Sequence, residues 1–245
     1  MSLYVMADLH LSMADPDKSM EVFGRRWCDY TNKIKKNWNA VVEPGDTVVV
    51  PGDISWALTL NDAEKDFEFL NLLSGRKILG KGNHDFWWTT MAKTEKFLAA
   101  HGFSRIDFLY NNAYHVENFI LCGSRGWFAD PGAKKIPKDT DYEKMTAREA
   151  ARLRLSLETG LALKKNAPDA EMLVFLHFPP VYNGLTVPAI TDVLHEFGIR
   201  RVYFGHVHGN YTLPRSFTAD GIRYALIAAD FLNFCPSPVL PESGY

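Results

Sequence analysis

The sequence predicts an α/β (α+β) domain in which strands and helices alternate along one chain. Short runs of β-branched and aromatic residues recur and indicate buried strands. Between them, apolar residues spaced three and four apart indicate amphipathic helices. Polar strings rich in aspartate and histidine follow several predicted strands directly, where α/β folds usually carry their chemistry. We therefore expect the strands to form a scaffold and the loops to form a functional site.

The predicted strands are short and apolar. They cover residues 3–7, 47–50, 119–122, 172–176, 202–204 and 224–228, with residues 77–79 as a weaker candidate. Four of them run straight into one of the polar strings. The strands therefore predict where the functional loops begin.

Two helices are predicted between the early strands. The first has an apolar stripe formed by Phe23, Trp27, Tyr30, Ile34 and Trp38. The second has an acidic face formed by Asp62, Glu64, Asp66 and Glu68, beside Phe67 and Leu70. We expect the stripe to pack in the core and the acidic face to be solvated.

Residues 124–168 differ in character and are a candidate cap or insert segment. A loop rich in proline, glycine and lysine opens the segment. The string Thr146-Ala147-Arg148-Glu149 has the form of a capping box, so a helix is expected to follow it. The buried stripe of that helix would be Leu153, Leu157 and Leu161.

The composition is typical of one globular domain spanning residues 1–245, with a proline-rich, irregular tail over residues 235–245. A formal net charge of -2 and the lack of a long basic stripe argue against long nucleic acid as a partner. The three cysteines are isolated, so neither a disulfide framework nor a thiolate metal cage is expected. No export signal or membrane span is recognised, which leads us to expect a cytoplasmic protein.

Five polar strings carry the functional signal. They are Asp8-Leu9-His10, Gly52-Asp53-Ile54-Ser55, Gly82-Asn83-His84-Asp85, His177 before Phe178-Pro179-Pro180, and Gly205-His206-Val207-His208-Gly209. Each alone has an ordinary structural explanation, such as a polar turn or a buried histidine. Together they hold five of the eight histidines of the chain. Their conjunction at predicted strand ends indicates a two-metal site.

The residue types of these strings favour divalent ions of intermediate hardness. Imidazole and carboxylate ligands without thiolate suit manganese, iron or zinc. Asp8 and His10 lie two residues apart and would face the same side of an extended strand, and the two histidines of the last string repeat this spacing. Asp53 could bridge two ions through its two oxygens, and Asn83 and His177 would complete the coordination of the second ion.

The ordered set of strings resembles the calcineurin-like metallophosphoesterase superfamily, with motifs spread from residue 8 to residue 208. The resemblance implies a four-layer αββα sandwich, in which two mixed β-sheets pack face to face between flanking helices. It also implies a dinuclear metal site at the strand-end loops. Carried over by motif, one ion would take Asp8, His10, Asp53 and His208, and the other would take Asp53, Asn83, His177 and His206.

The resemblance further implies phosphoester hydrolysis. Two divalent ions would leave the site positively charged, and a metal-bridging hydroxide is the expected nucleophile. In the superfamily, the histidine that matches His84 stabilises the phosphoryl group or protonates the leaving oxygen. Asp85 is expected to hold the ring of His84 in the useful tautomer. His84 and Asp85 are therefore the candidate catalytic residues.

Substrate contacts are expected around the strings. Arg125, Trp127 and Tyr182 are the candidates, and Lys134, Lys135 and Arg148 would join Arg125 in contacts with the substrate anion if residues 124–168 fold over the metals. The aromatic residues near the motif ends are Trp56, Phe86, Trp87, Trp88 and Trp127. They would form either a wall against a flat substrate group or ordinary packing between sheets and helices.

The leading hypothesis is a metal-dependent phosphohydrolase that acts on a small phosphomonoester, phosphodiester or nucleotide-type substrate. The alternative is a non-catalytic metal-binding scaffold for a protein partner. The presence of His84 together with all seven candidate ligands favours the enzyme.

Overall fold

Strands and helices alternate in the computed structural model, which describes residues 1–133, 136 and 138–241. The helices are α1 (Tyr30–Val41), α2 (Glu64–Leu72), α3 (Met91–His101), α4 (Tyr142–Lys164) and α5 (Pro188–Glu196). The strands before α4 are β1 (Leu3–Val5), β2 (Thr47–Pro51), β3 (Arg76–Gly80), β4 (Ile106–Phe108), β5 (Tyr114–Val116) and β6 (Phe119–Ser124). Those after it are β7 (Glu171–Leu176), β8 (Val181–Tyr182), β9 (Leu185–Thr186), β10 (Arg201–Phe204), β11 (Ser216–Ala219), β12 (Ile222–Leu226) and β13 (Ser237–Pro238). Each predicted strand is present with small shifts at its ends.

The strands form two mixed sheets. The first has the order β13-β1-β2-β3-β4, in which β1 to β4 are parallel and β13 is antiparallel. The second has the order β11-β12-β10-β7-β6-β5, with parallel inner strands and an antiparallel strand at each edge. Strands β8 and β9 make a separate hairpin. The prediction of two mixed sheets is confirmed.

The two sheets pack face to face because the strands of the second sheet are apolar on both sides. On β7, Leu173 and Phe175 join the core that also contains Val48 of the first sheet. The next residues along the strand, Val174 and Leu176, point to a second core shared with α4 and α5. The first core also includes the buried faces of α1, α2 and α3. The predicted four-layer αββα sandwich is therefore confirmed.

The helix predicted from the aromatic stripe begins later than expected. Tyr30, Ile34 and Trp38 are buried on α1 as predicted, and Trp27 is buried just before it. Phe23 instead ends a short 3₁₀ turn and is 69% exposed, so its inclusion in the stripe was wrong. Positive φ angles at Gly24 and Asp29 interrupt the helix between these positions.

The acidic face of α2 is solvated only in part. Asp62, Glu64 and Glu68 are exposed, whereas Asp66 is buried. The Asp66 carboxylate accepts hydrogen bonds from the Ser55 hydroxyl and, at 2.7 Å, from the Met13 amide. The prediction of a solvated face was thus wrong for Asp66, which instead supports the loop that follows β2.

The segment 124–168 contributes a long helix to the outer layer. Residues 134, 135 and 137, including the candidate contacts Lys134 and Lys135, lie outside the described residues. Helix α4 packs on β6 and α5. It starts one turn before the predicted capping box, and its N-cap is Asp141, whose side chain accepts from the Lys144 amide at 3.0 Å. Thr146 lies inside the helix, so the capping-box prediction was wrong.

The buried face of α4 also differs from the prediction at its C-terminal end. Leu153 and Leu157 are buried as expected, but Leu161 is 45% exposed. Gly160 faces β6 instead, where a Cβ atom would lie 2.6 Å from Cys122 Sγ and 3.0 Å from Met172 Cε. The helix can approach the sheet closely at this point only because residue 160 has no side chain.

The chain end is less irregular than predicted. Within the tail, β13 pairs with β1 and extends the first sheet. Residues 242–245 lie outside the described part. None of the described helices is long and apolar enough to cross a membrane.

We expect Gly160→Val to destabilise the protein by about 1–3 kcal/mol, because the added side chain overpacks the interface between α4 and β6. Ala162→Val, on the exposed face of the same helix, should change the free energy of unfolding by less than about 1 kcal/mol. Urea denaturation of both variants measures the difference. Equal stabilities would contradict the close packing at Gly160.

Candidate metal centre

The carboxyl ends of parallel strands from both sheets meet at one edge of the sandwich. Asp8 and His10 follow β1, Asp53 follows β2, and Asn83, His84 and Asp85 follow β3. From the second sheet, His177 follows β7, His206 and His208 follow β10, and Asp230 follows β12. The sheets are joined here by a bridge between Ala7 and Ala228. All seven predicted ligands therefore lie at one site, as the placement of the strings at strand ends suggested.

The backbone turns sharply at the ligand positions. Asp8, His10, Asp53 and His206 all have left-handed conformations, with φ angles of 60°, 46°, 49° and 67°. Aspartate and histidine adopt this conformation more readily than most residues other than glycine. Such strain persists where the surrounding structure fixes it, and it is common at functional sites.

One group of candidate ligands comprises Asp8, His10 and His208. One side-chain atom from each lies within 4.8 Å of the others. The Nε2 atoms of His10 and His208 are 3.2 Å apart, and His208 Nε2 is 3.5 Å from Asp8 Oδ1. These atoms converge on a space of the size that one ion would fill.

A second group comprises Asp53, His177 and His206, again with ligand atoms within 4.8 Å of one another. Asn83 extends this group, since its Oδ1 lies 2.8 Å from His177 Nε2. The second Asp53 oxygen, Oδ2, is 3.5 Å from His177 Nε2 and 3.6 Å from His10 Nε2. A single carboxylate oxygen thus stands between the two groups, as a bridging ligand would.

Two glycines let the backbone approach these carboxylates. A Cβ atom on Gly82 would lie 2.1 Å from Asp53 Oδ1, and one on Gly205 would lie 2.2 Å from Asp8 Oδ2. The space is used for hydrogen bonds: the His84 amide donates to Asp53 Oδ1 at 2.8 Å, and the His206 amide donates to Asp8 Oδ2 at 2.9 Å. Glycine is therefore a steric requirement at positions 82 and 205.

Burial and the neighbouring charges shift the pKa values of several candidate ligands in the metal-free protein. Burial raises the pKa of Asp8, and burial together with Asp8 and Asp85 raises the pKa of Asp53 well above its usual range. Burial and the neighbouring His206 lower the pKa of His177 well below its usual range, so its imidazole is neutral. For His208, burial acts against protonation, but Asp8 and Asp230 outweigh it and raise the pKa to about 10.

These residues fit two divalent ions. Two buried carboxylates side by side are costly unless a positive charge compensates them. His177 Nδ1 is a buried polar atom without a hydrogen-bond partner among the described residues, and it lies 3.7 Å from Asp8 Oδ1. Nitrogen and oxygen ligands without thiolate suit manganese, iron or zinc.

His84 lies beside the first group of ligands. Its ring centroid is 4.2 Å from that of Trp56 and 5.6 Å from that of His10. Trp56 is also stacked on His10 at 5.0 Å. The indole therefore fixes both imidazole rings, and His84 remains partly exposed at the mouth of the site.

Asp85 has a different set of contacts from the one expected. Its carboxylate accepts hydrogen bonds from the amides of Ile54, Ser55 and Gly82 at 2.8, 3.2 and 2.7 Å. The Trp87 indole donates a further bond at 3.0 Å. Through these bonds, buried Asp85 ties the loops after β2 and β3 together, which gives it a positioning function.

No sequence pattern pointed to Asp230, yet it is part of the site. It is buried, and its Oδ1 is 2.8 Å from His208 Nδ1. Its other oxygen accepts from the Gly209 amide at 3.2 Å and the Tyr211 hydroxyl at 3.0 Å. A carboxylate on the far nitrogen of a ligand histidine fixes the ring and its tautomer. Asp230 has this position relative to His208.

The candidate substrate contact Arg125 belongs to a basic cluster, which we define as Lys81, Arg125, Arg148 and Arg152 around Glu149. Glu149 is fully buried, and its Oε1 lies 2.8 Å from Arg152, 3.6 Å from Arg148 and 3.7 Å from Arg125. Lys81 lines a small pocket together with Arg125, Glu149 and Arg152, and it adjoins the Gly82-Asn83 loop. Four cations around one carboxylate make this side of the site positive.

Arg125 is also hydrogen-bonded to the loop after β7, which contains His177. Its carbonyl oxygen accepts from the amides of His177 and Phe178 at 3.1 and 3.0 Å. Its guanidinium lies over the Trp127 ring, 4.6 Å from the centroid. The loop that follows β6 is therefore held directly against the metal centre.

Some of the aromatic residues near the motif ends lie at the site, and others pack in the core. Trp56 and exposed Phe86 lie at the site beside His84. Trp87 and Trp88 pack against Phe108 in the core. The remaining candidates differ in exposure: Trp127 is buried, whereas Tyr182 is half-buried and lines a pocket beside His206.

Comparisons with known proteins agree with this geometry. The sequence matches the family model described as calcineurin-like phosphoesterase over residues 1–210. A curated relative, an uncharacterised protein of Methanocaldococcus jannaschii, is 34% identical over 83 residues. The match covers 34% of this chain and 46% of the relative, so the chain spans less than half of the relative's length.

Two solved structures are similar over nearly the whole chain. The phosphopantetheinyl hydrolase of Mycobacterium tuberculosis has a TM-score of 0.55 and 14% identity, covering 100% of this chain and 97% of that one. A protein of unknown function from Aquifex aeolicus has a TM-score of 0.51 and 18% identity, and the match covers 97% of this chain and 95% of that one. At these identities the similarity shows the fold alone.

We expect Asp230→Asn to weaken metal binding by about 10- to 100-fold, because His208 loses the carboxylate that orients its ring. Metal affinity is measured by titration with manganese or zinc against a competing chelator. Asp220→Asn, in an exposed turn, is the matched control and should bind metal as the wild type does. Unchanged affinity in Asp230→Asn would show that His208 does not depend on this contact.

Proposed function

Because the chain belongs to the calcineurin-like phosphoesterase family, we propose that it is a metal-dependent phosphohydrolase of small phosphorylated substrates. The family implies a phosphoester hydrolase that uses two divalent metals. The observation that carries the proposal here is the position of Asp53 Oδ2 between two groups of candidate ligands. When bound, two divalent ions would make water a nucleophile at neutral pH and stabilise the phosphoryl oxygens.

The side chains would share the ions as two overlapping sets. Asp8, His10 and His208 would hold one ion, and His177, His206 and Asn83 would hold the other, with Asp53 common to both. Asp85 and Asp230 keep the ligand loops in place through buried hydrogen bonds. Such hydrogen bonds would preorganise the site, which favours catalysis.

We assign proton transfer or phosphoryl stabilisation to His84. Its ring is held by Trp56 at the partly exposed mouth of the site, while its backbone amide is bonded to Asp53. A substrate phosphate at the two ligand groups would lie next to this imidazole. Protonated His84 could then donate to the leaving alcohol oxygen.

The basic cluster supports an anionic substrate. Its net positive charge would add to that of the bound ions and attract phosphate toward the site. Monoesters, diesters and nucleotide-type substrates all meet this requirement. One structural neighbour is a phosphopantetheinyl hydrolase, so a phosphopantetheinyl compound belongs among the substrates to be assayed.

Hydrolysis of chromogenic phosphate monoesters and diesters, after chelation and manganese add-back, tests the proposal directly. Turnover that disappears on chelation and returns with manganese supports the phosphohydrolase, and the preferred ester narrows the substrate class. Tightly bound metal without turnover on any ester would favour the alternative of a metal-binding scaffold.

We expect Asp53→Asn to abolish hydrolysis and lower the bound metal content, because the neutral amide lacks the negative charge of the bridging carboxylate. His195→Ala, on the exposed side of α5, should change neither. Metal analysis after dialysis and the ester assay measure both effects. An active Asp53→Asn protein would overturn the bridging assignment.

We expect His84→Ala to retain bound metal and to lower kcat by about 100-fold or more, as for loss of a general acid. The variant keeps the backbone amide that donates to Asp53, so the metal site itself should survive. Metal content and kcat are measured on the same preparation. Loss of metal, or unchanged kcat, would contradict the proposed function of His84.

A further inference from the structure

A pocket of about 280 Å³ opens beside the candidate ligand His206. Phe128, from the loop after β6, and Phe178, from the loop after β7, contact each other and form one continuous aromatic surface of the pocket. Tyr182 and Leu185, from the β8–β9 hairpin, line its outer side. The volume is at the lower end of the range for small-molecule sites, and suits one organic group rather than a whole large ligand.

The pocket walls are held by aromatic contacts that reach the metal centre. The ring centroids of Phe128 and Phe178 are 4.3 Å apart. The His206 ring is 5.4 Å from Phe128 and 4.5 Å from Phe178. A substrate phosphate at the candidate ligands would therefore place its organic group at the entrance of this pocket.

The hairpin that carries Tyr182 has a defined turn. Asn183 and Gly184 both have positive φ angles, 50° and 77°, as in the type I′ turn favoured by two-residue hairpins. Tyr182 also lines a second apolar hollow of about 340 Å³, together with Phe204, Leu213 and Phe217. Tyr182 thus separates two neighbouring apolar spaces, and a longer organic group could extend from the first toward the second.

The charges around the pocket differ from those of the basic cluster. Among its described lining residues none is a lysine or arginine, and the charged one is the exposed Asp130. The cations lie in a separate pocket lined by Lys81, Arg125 and Arg152. Burial against this largely apolar lining favours an uncharged apolar group, whereas a charged group would lose hydration on entering it.

We propose that this pocket binds the organic group of the substrate, and that the preferred substrate is a phosphoester of an uncharged, largely apolar alcohol. The proposal rests on the proposed hydrolysis. In that reaction, a water oxygen forms a bond to phosphorus, the bond between phosphorus and the alcohol oxygen breaks, and the alcohol leaves with a proton. The pocket determines which ester binds and takes no part in these bond changes.

A series of n-alkyl phosphates tests the proposal. Methyl, butyl and octyl phosphate have leaving alcohols of similar intrinsic reactivity, so differences in kcat/KM report contacts with the alkyl chain. We expect kcat/KM to rise by up to about fourfold for each methylene group buried. An octyl chain that ends in a carboxylate should lose most of this gain. A parallel series of alkyl 4-nitrophenyl diesters covers an enzyme that prefers diesters.

The matched variants are Tyr182→Ala and Leu58→Ala. Tyr182→Ala removes a pocket wall and should lower the octyl-to-methyl ratio of kcat/KM by about 10-fold or more. Leu58 is exposed away from the pocket, and Leu58→Ala should leave the ratio unchanged. Binding of octylphosphonate and methylphosphonate, measured by calorimetry, provides a readout that does not require turnover and should show the same preference.

The outcomes separate the two proposals. If no ester is hydrolysed with or without manganese, the proposed function fails. If esters are hydrolysed but kcat/KM and phosphonate affinity do not depend on chain length, the hydrolase remains and the apolar pocket assignment is overturned. A preference for the carboxylate-terminated chain would also overturn it.

Discussion

The carboxylate of Asp53 is the group on which the arrangement of the site depends. It is buried between the sheets' loop-bearing ends, where one oxygen accepts the His84 amide and the other faces His10 and His177. These partners follow strands of both sheets. Because an uncompensated buried carboxylate is costly, the neighbouring loops must supply hydrogen bonds, imidazoles and cations. The close approach required also explains the glycine at position 82.

Further buried carboxylates stabilise the loops without belonging to the predicted ligand sets. Asp85 joins the loops after β2 and β3, Asp66 binds the Ser55 hydroxyl, and Asp230 binds His208. Each accepts from groups distant in sequence or from loop backbone. The ligands are therefore held by a second layer of polar contacts, and such support limits the freedom of the site before any ion binds.

The sequence predicts the strands and the polar strings at their ends because both signals are local, whereas the two-sheet sandwich is implied by the family resemblance. An apolar strand and the Asp-His string behind it can be recognised within a few residues. Asp230 could not be recognised in this way, because its function depends on its contact with His208, which follows a different strand. The same holds for buried Asp66. At the start of α4, the capping-box pattern at Thr146 did not locate the helix start, because Asp141 caps the helix one turn earlier.

The loop after β6 links the metal centre to both of its flanking environments. Its Arg125 carbonyl accepts hydrogen bonds from the amides of His177 and Phe178, which tie it to the loop after β7. The same loop presents the Arg125 side chain to the basic cluster and Phe128 to the apolar pocket. Charge and apolar surface thus line two separate sides of the site. A substrate that satisfies both would be oriented by its two ends, and selectivity would follow from the spacing of these sides rather than from the ligands themselves.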